Sequence, residues 1–163
     1  MRPQTASPPS ISELQEYLRN RVSPGESYPD LLRFPRYFEI ETINHCNARC
    51  PMCTIDTWER KAGRMKDIVF ERIASELVEA AQEEHIIRVS LFRDGESLLD
   101  KKLANRVHRL KTGGIRHVST TTNGSLLNEK RARELLQAGI DSLFFSMDSL
   151  HKEIYEGIRV GLI

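Results

Sequence analysis

Three cysteines, Cys46, Cys50 and Cys53, sit in the run Cys46-Asn47-Ala48-Arg49-Cys50-Pro51-Met52-Cys53, spacing C-x3-C-x2-C, and the chain has no other. An odd number of thiols so closely confined cannot frame a disulfide scaffold; thiols this near one another hold a metal or do redox chemistry. Thiolates are soft ligands that select zinc or iron–sulfur clusters. Three on one tight loop fit three corners of a cubane and leave its fourth iron without a protein ligand, whereas a structural cluster takes four cysteines. Two other readings of the loop stay open. A zinc knuckle would enlist His45 as fourth ligand, although adjacent residues on an extended loop diverge. A Cys50–Cys53 dithiol would be a redox pair, but it leaves Cys46 idle and nothing helically periodic follows Pro51.

The elements that must position this loop follow from the hydrophobic period. All seven prolines fall at or before Pro51 and eight of nine glycines at or after Gly63, so front and back differ in kind. Ser10-Ile11-Ser12-Glu13 reads as a capping box for a short helix over 11–21, and residues 1–35 as an N-terminal extension before a domain over 36–163. From there β-prone runs at 37–43, 86–92, 115–122 and 140–147 alternate with helical patterns. The first helical pattern follows a predicted Asp67 cap, the second carries Leu99, Leu103, Val107 and Leu110, the third covers 127–138 and the fourth starts at Ser149. The strand at 140–147, apolar through Leu143, Phe144 and Phe145, predicts burial on both faces. Four βα units in a row predict an α/β fold with a parallel sheet or barrel.

In such folds ligands sit at the carboxyl ends of the strands. The cysteine loop, Asp94-Gly95-Glu96, Thr122-Asn123-Gly124 and Ser146-Met147-Asp148 all fall at those ends, which predicts one composite site. Composition excludes several classes. With 24 Lys+Arg against 23 Asp+Glu, the net charge of +1 gives no broad attraction to nucleic acid or acidic lipid. No apolar run approaches the roughly 20 residues that cross a bilayer, and residues 1–10 lack the apolar core of a secretory signal, so the expected location is the cytoplasm.

In these residues the chain resembles the radical S-adenosylmethionine enzymes, whose mark is this cysteine spacing on the loop after the first strand. The likeness runs from about Tyr37 onward and includes DGES at 94–97, TNGSLL at 122–127, FSMD at 145–148 and IYEGIR at 154–159. The mix is most similar to the SPASM-type branch, many of whose members modify peptides or proteins. The resemblance implies a 4Fe–4S cluster on Cys46, Cys50 and Cys53 whose open iron chelates S-adenosyl-L-methionine (AdoMet). An electron from a reductant such as a flavodoxin or ferredoxin then cleaves the sulfonium, and the 5′-deoxyadenosyl radical abstracts hydrogen from substrate. It further implies that Asp94, Gly95 and Glu96 lie beside the AdoMet amino group, that Asn123 belongs to the same site, that Ser146 and Asp148 meet the ribose hydroxyls, and that Arg159 meets the carboxylate.

The chain departs from that family at three points. Met52 stands where an aromatic residue is common, and Asp94 and Ser97 replace a glycine and a proline. Four of the family's six βα units are present, so the expectation is a partial barrel, truncated at its C-terminus, that catalyses poorly alone. Other groupings have plainer readings. The basic run Lys101, Lys102, Arg106, Arg109, Lys111 and Arg116 reads as a solvated helix face, since no aromatics interleave. Ser146, Asp148 and His151 lack a nucleophile elbow. Asp94 and Glu96 read as the frame of a binding loop before an acid–base pair, and Trp58 as loop packing or a lid anchor.

Overall fold

The computed structural model describes residues 10, 12, 33–84 and 86–162. The helix expected over 11–21 lies, apart from Ser12, outside the described residues. The chain divides into compact units at 1–35 and 36–163, and the second contains the sheet. Among the described residues four strands form one parallel sheet in chain order: β1 (Tyr37–Glu39), β2 (Arg88–Ser90), β3 (Val118–Thr122) and β4 (Ser142–Phe145). Register pairs Phe38 with Val89, Val89 with Val118, and Thr122 with Phe145. Helices α1 (Asp67–Glu83), α2 (Leu103–Thr112), α3 (Glu129–Gln137) and α4 (Lys152–Ile158) alternate with them. No described helix is long and apolar enough to cross a membrane.

Period explains the core. Val89, Leu91, Val118 and Thr120 point from the sheet to one face and are fully buried. Phe70, Ala74 and Leu77 of α1, Leu103, Val107 and Leu110 of α2, and Leu135 of α3 cover them at helical spacing. Thr120 is tolerated there because its hydroxyl donates to the Leu91 carbonyl at 3.0 Å. Gly114 and Gly139 take φ of +96° and +88° past the ends of α2 and α3, where a side chain would be strained.

The strands are shorter than predicted, and β1 shows why. Beyond Ile40 the chain turns from the sheet to meet the return from the cysteine loop: Met65 N–H donates to the Thr42 carbonyl at 2.8 Å, and Ile43 bridges Arg64 antiparallel. Asp67 is the first residue of α1 and not its cap; Lys66 holds that position without a side-chain bond. Leu99 is not in α2. Glu96 accepts the Leu98 N–H and closes a separate 3-10 turn, Ser97–Leu99, so α2 begins at Leu103. β4 is not buried on both faces: Phe144 and Phe145 are 47% and 51% exposed, because among the described residues β4 pairs with β3 alone and α4 buries no residue.

The basic run is a solvated face at Lys101, Lys102 and Arg116, but not throughout. Arg106 is 4% exposed; its Nε lies 3.0 Å from Asp100, Nη2 donates to the Met65 carbonyl at 2.9 Å, and Phe70 lies under the guanidinium. Lys102 pairs with Asp67, Arg109 with Glu71 and Lys111 with Asp141. These cations bind carboxylates of neighbouring elements.

Candidate functional site

The cysteine loop leaves β1 and lies beside the carboxyl ends of β2 and β3. Its three thiols are free, with Cys50 buried, Cys46 half-buried and Cys53 exposed. Sulfur at Cys46 receives the Ala48 N–H at 3.4 Å and the Asn123 amide at 3.8 Å; sulfur at Cys50 receives Arg159 Nη1 at 3.7 Å. Burial pushes the Cys46 thiol pKa up, as do the charges of Glu96 and Cys50, against the pull of the Ala48 N–H and the Asn123 amide. Among the described residues no three His, Cys, Asp or Glu side chains converge closely enough to hold one metal ion. His45 is not assembled with the thiols into a knuckle, and its Nδ1 is buried without a hydrogen-bond partner. The donor set fits a cluster. Three reduced thiols share one loop, N–H groups aim at two of the sulfurs, and thiolates on separate cubane irons stand further apart than thiolates sharing one ion.

Glu96 joins this loop to the strand ends. It is 2% exposed, and its carboxylate accepts the Leu98 N–H at 2.9 Å, the Thr122 hydroxyl at 2.5 Å and the Asn123 N–H at 2.7 Å. All three donors are uncharged groups. Its own N–H donates to the His45 carbonyl at 2.9 Å. Gly95 is glycine for space: a Cβ there would lie 2.4 Å from the Ile43 carbonyl oxygen and 2.9 Å from that of His45. Asp94 has no positive φ, and its exposed carboxylate lies between Arg93 and Arg60 at 3.7 and 4.0 Å. Arg60 also pairs with Glu41 and stacks on Trp58 at 4.0 Å, so Trp58 packs within its own loop.

Asn123 donates from its amide to Asn47 Oδ1 at 2.9 Å, and Asn47 in turn donates to the Ser125 hydroxyl at 2.9 Å. Ser146 continues the β3–β4 pairing through its N–H to the Thr122 carbonyl at 2.9 Å. Asn123, Ser125, Phe145, Ser146, Tyr155 and Leu162 line a mainly apolar cavity of about 350 Å³ at these strand ends. Asp148 and Arg159, expected at the ribose and the carboxylate, are brought to each other: Nε–Oδ2 is 2.6 Å and Nη2–Oδ1 3.3 Å. Asp148 therefore orients no histidine, and the Ser146, Asp148 and His151 grouping is not a triad. Met52 is exposed.

Sequence reasoning gave no individual role to Asn47, Thr122 or Tyr155, although each lies in a motif it singled out, and it missed Leu162. Tyr155 donates from its hydroxyl to the Asn123 carbonyl at 3.2 Å, and Leu162 packs on Ala48 and Cys50. Asn47 and Thr122 are polar neighbours of Cys46 and Asn123, which is signal enough to find them. Tyr155 lies in the IYEGIR run, whereas Leu162 carries no local signal.

The family model of the Radical SAM superfamily matches residues 40–162. The tungsten-containing aldehyde ferredoxin oxidoreductase cofactor-modifying protein of Pyrococcus furiosus is 30% identical over 115 residues, 71% of this chain and 31% of its own. GTP 3′,8-cyclase of Thermodesulfovibrio yellowstonii is 33% identical over 129 residues, 78% of this chain and 39% of its own. The crystal structure of BtrN in complex with AdoMet and 2-DOIA has a TM-score of 0.64 at 25% identity, over 77% of this chain and 51% of that one. HydG, a hydrogenase maturase, shares the fold with a TM-score of 0.57 at 17% identity. The chain belongs to the Radical SAM superfamily, whose enzymes bind a 4Fe–4S cluster and AdoMet. It spans 31% and 39% of the two curated relatives' lengths, and its parallel sheet is a partial barrel of the kind its structure neighbours have.

Proposed function

We propose that this chain carries the cofactor-binding part of a radical AdoMet enzyme, with Cys46, Cys50 and Cys53 holding a 4Fe–4S cluster. The observation that carries this reading is the thiol loop seated at the carboxyl ends of a parallel sheet against the buried carboxylate of Glu96, whose three donors are all uncharged. Bound there, the cluster and AdoMet supply one-electron cleavage of the sulfonium to a 5′-deoxyadenosyl radical that abstracts hydrogen from substrate. The protein's part is to bind, orient and keep water away.

Glu96 provides negative potential where a ligand bearing an ammonium and a sulfonium has to sit, while its three bonds fix the strand ends. Gly95 lets the Asp94–Glu96 backbone come close to the cysteine loop, so the Asp94 carbonyl faces the ligand's amino group. Asn123 and Ser146 offer polar atoms at the mouth of the apolar cavity, which suits a nucleoside with one flat apolar face and a polyhydroxyl edge. Residues 36–163 form the core domain of this machinery, and residues 1–35 an extension before it. The reductant is a small one-electron carrier such as a flavodoxin or ferredoxin, and the compartment is the cytoplasm.

Anaerobic reconstitution of the chain with iron and sulfide tests the reading: it should bind about four irons, with the broad brown absorbance of a cluster, and Cys50→Ala should abolish both. Stoichiometric zinc without sulfide would sink it. The SPASM-type motifs favour a peptide or protein substrate, whereas the likeness to GTP 3′,8-cyclase favours a nucleotide. Consumption of GTP by the reduced, AdoMet-loaded chain decides for the second.

A further inference from the structure

Each nitrogen of the Arg159 guanidinium has a partner within the protein, in a way that neither the ribose nor the carboxylate of AdoMet requires. Its Nε and Nη2 face the two oxygens of Asp148, at 2.6 and 3.3 Å, and this side-on fork turns Nη1 toward the Cys50 sulfur at 3.7 Å. A planar guanidinium holds its donors in fixed directions, so fixing one edge aims the other. The backbone is fixed as well. Arg159 N–H donates to the Tyr155 carbonyl at 2.7 Å, and the next residue, Val160, accepts the N–H of Arg49, the neighbour of Cys50, at 2.7 Å. Leu162 then packs on Cys50 and Ala48, and the Tyr155 hydroxyl reaches the Asn123 carbonyl. The segment 155–162 is thus latched to the cysteine loop by backbone, side chain and apolar contact together.

We propose that Arg159 is a positioning residue for the Cys50 sulfur, held to that task by Asp148, and is not a contact to AdoMet. The proposal rests on the reading of Cys50 as a cluster ligand. A cation donating an N–H to a ligating sulfur stabilises the electron-richer state of the cluster, and the carboxylate behind it tempers the effect. Asp148 and Arg159 together therefore set how readily the cluster accepts its electron.

The test uses the anaerobically reconstituted chain, with iron content, the midpoint potential of the cluster and equilibrium binding of AdoMet as three separate readouts. Arg159→Met should load iron as the parent does, move the potential to a more negative value and change AdoMet affinity by no more than about twofold. Arg159→Lys should restore part of the shift. Asp148→Asn, which keeps shape and removes charge, should move the potential the opposite way, and it carries the test should Arg159→Met fail to fold. Unchanged potentials in the loaded variants, with AdoMet affinity down about tenfold or more, overturn the proposal and return Arg159 to the ligand's carboxylate. A parent chain that takes up no iron overturns the cluster reading along with it.

Discussion

Just before β4, at the amino end of the sheet, the Asp141 carboxylate accepts the Val118 N–H at 2.7 Å and lies 2.8 Å from the Lys111 ammonium. At the carboxyl end, Glu96 accepts the Asn123 N–H at the same 2.7 Å, but its other donors are a hydroxyl and a second backbone amide. Both carboxylates tie neighbouring segments of a parallel sheet through a side-chain-to-backbone bond. Only the first has a cation among its donors. Burial alone would push Asp141 up, yet the Lys111 ammonium and the Val118 N–H hold its pKa below the ordinary 3.8. The amino end is a closed electrostatic unit that stabilises the fold, and the carboxyl end has a carboxylate with no cation among its three donors, where the proposed function seats AdoMet.

The sharpest way to break that contrast is Glu96→Ala. It leaves three donors without an acceptor at a buried point, and unmet buried donors cost about 1–3 kcal/mol each, so a loss of about 3 kcal/mol or more is expected. Urea unfolding should show it as a lower midpoint with an unchanged slope. A loss below about 1 kcal/mol would mean that water or a rearranged loop satisfies those donors.

Next comes Gly95→Ala, which adds a Cβ at 2.4 Å from a backbone oxygen that cannot swing aside. Overpacking of this kind costs about 1–3 kcal/mol, and the same unfolding measurement reads it. The added strain should fall on the carboxyl end, so AdoMet affinity should drop while the Lys111–Asp141 clamp is untouched.

The smallest effect is expected at the neutralised end. Asp141→Asn removes a partly exposed ion pair, about 1 kcal/mol or less at neutral pH, and keeps an oxygen for the Val118 N–H. Its signature is in acid. A carboxyl group held below its unfolded pKa contributes stability above that value and loses it as pH falls through the folded one. Parent and variant should therefore converge in stability as pH falls below about 4. Parallel curves down to the acid transition would show that Lys111 does not stabilise the charged form.

The order of elements is legible because period alone separates strands of alternating burial from helices such as α2, and the site is legible because its unusual residues cluster after strands. What escapes depends on side chains reaching across the fold. Glu96 draws the Leu98 N–H to itself and delays α2, which no helical pattern through Leu99 announces. Arg106 shares the stripe of Leu103, Val107 and Leu110, so its burial is written in the spacing but masked by its charge. Asp148 and Arg159, taken singly, each suit a ligand, and their mutual contact appears only once α4 folds back.

That return of α4 also fixes an order of events. Cys50 and Arg159 are 109 positions apart in the chain. Closing a loop of that length costs roughly 4 kcal/mol of chain entropy before the contact gives anything back. On a ribosome adding about 5–20 residues per second, the guanidinium emerges roughly 5–20 s after the sulfur it will meet. Cys50 is therefore synthesised well before the segment that buries it, with Tyr155 and Leu162, can close over the cysteine loop.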